Sequence, residues 1–246
     1  MRRMKCLVWS IGLTVAVCMF NSCAKDDGYS LDNAWYSIAT IRTSGYGATS
    51  YWLTLDSGAS LWPVATNVPW YNLQDKQRAV ILYTILSDEF NGYDHAVKIL
   101  DIDGILTKQI AENLGDNNDE TYGTDPVGIT SQSNIWIGDG FLNIIFEFFY
   151  GGDTVHFINL IENSQVDTPY CYEFRHNAFN DAEHSKRKGI VAFDLSTVDT
   201  KGEEVELTIQ VPTFDGMKDF SIKYDSSKNP AVLHRNDTLE DFAEIK

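Results

Sequence analysis

Arg175-His176-Asn177 is the stretch whose residue types best suit chemistry. An imidazole at His176 would serve as a base near neutral pH, and a planar guanidinium at Arg175 would clamp an anion. Together they would suit a hydrolase, provided a nucleophile stood nearby. No Gly-x-Ser-x-Gly elbow occurs in the chain to supply one. The competing reading is a strand end whose polar side chains tie down the next loop, and the sequence favours it. His156, His176 and His184 are a conceivable metal set, but their spacing matches no compact zinc motif. The acidic run Gly115 to Glu120 invites a calcium reading. It fails the EF-hand pattern, because Thr121 stands at the glycine position and Val127 at the twelfth. No metal or other cofactor is expected, and no catalytic residue is assigned.

Aromatic rings offer a second kind of chemistry. Trp35, Trp52, Trp62, Trp70 and Tyr71 would stack on sugar rings if exposed, and Trp70-Tyr71 follows Pro69 in a loop-like stretch. The alternative is that most of them fill small cores. Nucleic acid is a poor partner, since 35 acids against 19 bases give a net charge of -16. Lys186-Arg187-Lys188 is the one short basic cluster, read as a solvated loop beside a turn. Thr154 and Thr238 stand in Asp-Thr-aliphatic triplets, which resemble O-glycosylation acceptors of Bacteroidota-type secreted proteins.

Cys23 is the remaining reactive position. Arg2, Arg3 and Lys5 precede an apolar run from Cys6 to Phe20 that is the length of a signal-peptide core and short for a bilayer span. Ser22-Cys23 then resembles a bacterial lipobox, with cleavage after Ser22 and acylation, palmitate included, of Cys23. Phe20 and Asn21 are looser than the strict pattern; an uncleaved anchor or a plain secretory signal are the alternatives. Several acyl chains would hold the protein at a membrane. The run Ala24-Lys25-Asp26-Asp27 resembles the short acidic signal that sends some such lipoproteins to the outer face of the outer membrane. Cys171 sits in the apolar run Tyr170-Cys171-Tyr172 and reads as a buried thiol, so no disulfide framework is expected in the body of the chain.

The elements that position these residues are strands. Period-two stretches recur at Trp35–Ile41, Tyr51–Leu55, Ser60–Val64, Arg78–Leu86 and His95–Ile102, with Asn91-Gly92 as a hairpin turn. Pro63 should end a strand or mark an edge. Five short strands without an amphipathic helix suggest a small barrel, an OB-fold first and an SH3-like barrel second. Strand texture resumes at Ile135–Ile137 and Phe141–Tyr150. It continues at Val155–Ile161, Tyr170–Arg175, Ile190–Leu195, Glu204–Val211 and Phe220–Tyr224, spaced as in a β-sandwich. The expected organisation is a signal peptide at 1–22, a tether at 23–33, a barrel at 34–108, a linker at 109–133, a sandwich at 134–224 and a mobile tail at 225–246.

In order along the chain, several of these stretches resemble the NigD-like lipoproteins. They are Cys23 to Leu31, Trp35 to Thr40, Tyr51 to Asp56, Leu61-Trp62-Pro63, Tyr83 to Leu86, Gly92 to His95, Ile105 to Lys108, His156 to Leu160 and Glu173 to Asn177. The tail past Tyr224 is longer than that family suggests. The resemblance implies an N-terminal OB barrel and a C-terminal β-sandwich. It also implies a non-enzymatic envelope lipoprotein that binds a protein partner, in a family tied by gene context to bacteriocin immunity or production. A surface glycan-binding module is the alternative function.

Overall fold

The computed structural model describes residues 33–44, 50–152, 154–163 and 168–228. Ser22, Cys23 and Thr238, with the expected signal peptide and most of the tether and tail, lie outside the described residues. The architecture is all-β, with a closed barrel followed by a sandwich, as the strand spacing implied.

The barrel is built from β1 (Trp35–Thr43), β2 (Tyr51–Leu55), β3 (Ser60–Thr66), β4 (Arg78–Phe90) and β5 (Tyr93–Gly104). They close in the order β1-β2-β3-β5-β4, with β3 and β5 parallel and the other pairs antiparallel. Alternate residues point inward and fill the core: Ala39, Ile41, Leu53, Leu55, Leu61, Ile81, Tyr83, Val97 and Ile99. That alternation is why the sequence shows a period of two. The β4–β5 hairpin turns at Asn91 and Gly92, both at positive φ (52° and 86°), as the sequence pair predicts. Pro63 does not end its strand. The β3–β5 pairing shifts register between Pro63 and Ala65, so a bulge accommodates the missing N–H.

The sandwich packs two four-stranded sheets. One runs β6 (Leu106–Gln109), β11 (Ser185–Asp194), β8 (Phe141–Tyr150) and β7 (Ile135–Gly138). The other runs β13 (Gly216–Tyr224), β12 (Val205–Thr213), β10 (Cys171–Asn177) and β9 (Phe157–Glu162). Phe146, Phe148, Phe174, Phe193, Leu142, Leu160 and Ile209 fill the space between them. The edges are partly closed: Ala111 bridges to Ile161 on β9, and the Lys108 ammonium donates to Ile158 O and Asn159 Oδ1 across the two sheets.

Segment 109–133, expected as a linker, is packed against the sandwich. Val127 and Ile129 are buried in its core, Val127 bridges to Thr213, and Gly128 pairs with Glu147. The acidic run inside it carries a 3-10 turn (Gly115–Asn117) followed by the one-turn α1 (Asn118–Tyr122), whose Asn118 side chain accepts from Leu114 N. Composition reported the exposed part of this stretch and hid the two apolar residues that pin it.

The first sandwich sheet is buried on both faces as far as Ile145 and Ile190. Leu142, Ile144, Phe146, Val191 and Phe193 face the sandwich core. The alternating set Phe141, Ile145, Ile190 and Ala192, with Trp136, faces Ile38 and Val80 on the outer side of the barrel. Burial on both sides explains why β8 reads as the nearly unbroken apolar run FLNIIFEFFY.

Candidate functional site

His176 lies on β10, on the face turned into the sandwich, and is 2% exposed. Its Nε2 is 2.9 Å from Nδ1 of His156, whose Nε2 lies 3.1 Å from Asp181 Oδ2. The carboxylate can only accept, so His156 carries its proton on Nε2 and accepts at Nδ1. His176 therefore donates from Nε2 and keeps a bare Nδ1. That atom is buried without a hydrogen-bond partner among the described residues. Asp181 is held by the amides of Gly151 and Ala182 as well as by His156, and these bonds depress its pKa. The rings of Phe146, Phe148 and Tyr150 line the histidine pair. Burial, with His156 alongside, pushes the His176 pKa down to about 4. A carboxylate–imidazole–imidazole chain results, sealed in an aromatic core.

The neighbours are committed elsewhere. Arg175 pairs with Asp119 on α1 at 2.6 Å and with Glu173, so its guanidinium is neutralised by two carboxylates of its own chain. Asn177 accepts from Phe179 N and shapes the turn after β10. The three side chains of Arg175-His176-Asn177 thus part company: one is ion-paired, one lies in the core and one turns the chain. His184 is exposed. Among the described residues, no group of histidine, cysteine, aspartate or glutamate is placed to hold a metal ion. Cys171 is buried and free, with its thiol pKa raised by burial.

The two aromatic candidates part company. Trp70 is 76% exposed, whereas Tyr71 packs beneath the barrel core with its hydroxyl donating to Gln77 Oε1. Trp35 and Tyr36, at the start of β1, are also more than half exposed. A grouping that sequence order concealed lies on the outer barrel surface, where Tyr93 sits 4.9 Å from Trp62 and 6.3 Å from Trp52. All three rings are half-buried. Leu53 pairs with Leu61 across β2 and β3, so Trp52 and Trp62, one residue away on each strand, share the outer face. Thr154 is half-buried in the loop before β9.

Sequence reading missed the most elaborate polar cluster. Arg78, fully buried at the start of β4, points out of the barrel into the junction with the sandwich. It donates to Thr40 Oγ1 at 3.0 Å and to Asn143 Oδ1 on β8, forms an ion pair with Asp56, and lies over the Phe141 ring. Asp56 also accepts from Trp136 Nε1 at 2.8 Å. Arg42 and Asp139 add a second ion pair across the same junction at 2.6 Å. Barrel and sandwich are therefore joined by one apolar patch ringed by a satisfied polar network. The signals were Arg78 at the head of an apolar strand and Asn143 inside an apolar run.

A family model described as the NigD-like N-terminal OB domain matches residues 38–105. One described as the NigD-like C-terminal β-sandwich domain matches residues 109–224. Among solved structures, a toxin-related protein from Parabacteroides distasonis is 47% identical, with a TM-score of 0.73, over 79% of this chain and 94% of that one. A protein of unknown function from Bacteroides vulgatus superposes with a TM-score of 0.70 at 22% identity, covering 87% of this chain and all of that one. A NigD-like immunity protein from Bacteroides caccae gives 0.55 at 22% identity, covering 86% and 100% of the two chains. No curated protein matches the sequence.

Proposed function

The chain belongs to the NigD-like family, and from that premise we propose that it is a non-enzymatic lipoprotein of the bacterial envelope that binds another protein. The observation that supports binding over turnover is the pairing of a locked junction with a sealed histidine core. Arg78 and its partners hold the two domains as one surface, and the best candidate base is enclosed by phenylalanine rings. Cys23 carries the lipid in this reading, and Ser22 precedes the cleavage point. Anchoring at the outer membrane places the barrel and sandwich at the cell envelope. Protection against a co-encoded bacteriocin is the role that the family context favours. Two measurements test it. Intact mass spectrometry should show an acylated Cys23 at the new N-terminus, and an unmodified Cys23 or a chain retaining residues 1–22 overturns the anchor. Deleting the gene should raise sensitivity to the neighbouring bacteriocin; unchanged sensitivity overturns the immunity role.

A second reading rests on the Trp52–Tyr93–Trp62 surface. The β2–β3 face is where OB barrels take oligosaccharides and oligonucleotides, and the net charge of -16 disfavours the latter. Sugar titrations followed by tryptophan emission test it. A response lost in Trp62→Ala supports a glycan site, and no response to any sugar removes it.

A further inference from the structure

The Lys186-Arg187-Lys188 cluster is not a loop. It forms the first part of β11, paired with Phe149, Phe148 and Glu147 of β8. Alternation puts Lys186 and Lys188 on the sheet face that further along is covered by the barrel. That cover reaches Ile145 and Ile190 and leaves the following rows open. Lys186 lies over the rings of Phe149 and Phe214, at 5.7 and 5.1 Å, and reaches Glu147 only at 3.7 Å. Arg187 and Lys188 make no ion pair among the described residues and are exposed, in a chain with nearly twice as many acids as bases. Phe214 is 37% exposed and Met217, in the same β12–β13 hairpin, 65%. Lys186, Lys188 and the rings of Phe149 and Phe214 thus share one open face, with Glu147 and Asp215 the acids beside Lys186.

The chain runs on past Lys228, and residues 229–246 lie outside both the described residues and the family match, which ends at Tyr224. Their sequence complements this face. Asp237, Glu240, Asp241 and Glu244 carry four negative charges, and Leu239, Phe242 and Ile245 recur every third residue between them. Length permits the meeting. β13 returns from the Met217 end to Tyr224 over about 25 Å at ~3.4 Å per residue. The stretch 229–238 spans up to about 33 Å when extended.

We propose that the C-terminal segment Asp237–Ile245 docks in cis on the face formed by Lys186, Lys188, Phe149 and Phe214. Its carboxylates pair with the two lysines, and its apolar residues cover the two phenylalanine rings.

The test is the rate of lysine acylation in the full-length protein, read by peptide mass spectrometry with Lys98 and Lys201 as internal references. Substituting Leu239→Ser and Phe242→Ser together leaves every described residue intact. It should speed modification of Lys186 and Lys188 by about fivefold, the value for a segment docked some four-fifths of the time. High salt should produce the same rise in the unaltered protein. Equal rates in the two proteins overturn the proposal. Protection that disappears on dilution overturns the cis form and assigns the segment to a second copy.

Discussion

At the residue scale, His176 couples stability to pH. Its folded pKa of about 4 lies below the ordinary 6.5 because burial disfavours the imidazolium and His156 stands against it, which outweighs the opposing pull of Asp125. The unfolded chain therefore binds the proton first as pH falls. The contribution is complete above about pH 6.5, declines through the window down to about 4, and is lost below it. A shift of that size corresponds to an upper bound of about 3 kcal/mol. Urea unfolding at a series of pH values should show this slope, and His176→Gln should flatten most of it; an unchanged slope would place the proton uptake elsewhere. Gly138 is a second single-residue lever. A Cβ there would collide with the Asp56 carboxylate that holds Arg78 and Trp136. Gly138→Ala should cost about 1–3 kcal/mol by overpacking, measured as a lower urea midpoint at unchanged m-value. The sequence singled out His176 from its flanking arginine and asparagine. It could not show that His156, just before β9, and Asp181, in the loop after β10, would consume it, because the β9–β10 register decides which flanking residues meet.

At the element scale, β8 is the strand on which both halves of the molecule depend. Its odd-numbered residues Phe141, Asn143 and Ile145 face the barrel, and its even-numbered residues Leu142, Ile144 and Phe146 face the sandwich core. Replacing Ile145 by Asp would place a charge against the apolar side chains of Val80 and Ile190. The expected cost is about 3–5 kcal/mol. It should fall on the junction first, so that barrel tryptophan emission and sandwich hydrogen exchange no longer report one midpoint. Coincident, unshifted transitions would show the row to be less buried than the register makes it. The strands themselves were legible, since a half-buried barrel strand writes its alternation into the sequence. A strand buried on both faces does not, and FLNIIFEFFY gave length and apolarity without saying what lay on either side. β6 was illegible for a related reason. It continues from β5 through Gly104 and Ile105, so nothing in the sequence marks the point where the chain leaves the barrel and pairs in parallel with β11.

At the scale of the whole molecule, the arrangement is three sheet layers in sequence: barrel wall, inner sandwich sheet and outer sandwich sheet. The inner sheet belongs to both cores, so the halves should unfold together. Arg78 is the residue that tests this coupling. It is a buried cation whose partners come from both domains: Thr40 and Asp56 from the barrel, Asn143 and the Phe141 ring from the sandwich. Arg78→Ala leaves Asp56 and Asn143 with unmet polar atoms and opens a cavity, and loss of one partner from a buried pair costs about 3–5 kcal/mol. Arg78→Met keeps most of the volume and the contact with Phe141. It still strands Asp56, so it should be intermediate, and Arg78→Met with Asp56→Leu should recover part of the loss, because an apolar pair removes both buried charges, the remainder reflecting the acceptor that Trp136 Nε1 loses. Calorimetry would show one endotherm for the natural protein and two for Arg78→Ala. A single endotherm merely shifted to lower temperature would mean that the apolar patch of Ile38, Val80, Trp136 and Ile145 suffices to couple the domains, with the arginine fixing only their angle. In either case the surface offered to a partner is a composite of both domains, and a binding defect in Arg78→Ala at temperatures where both halves remain folded would show that the partner reads that composite surface.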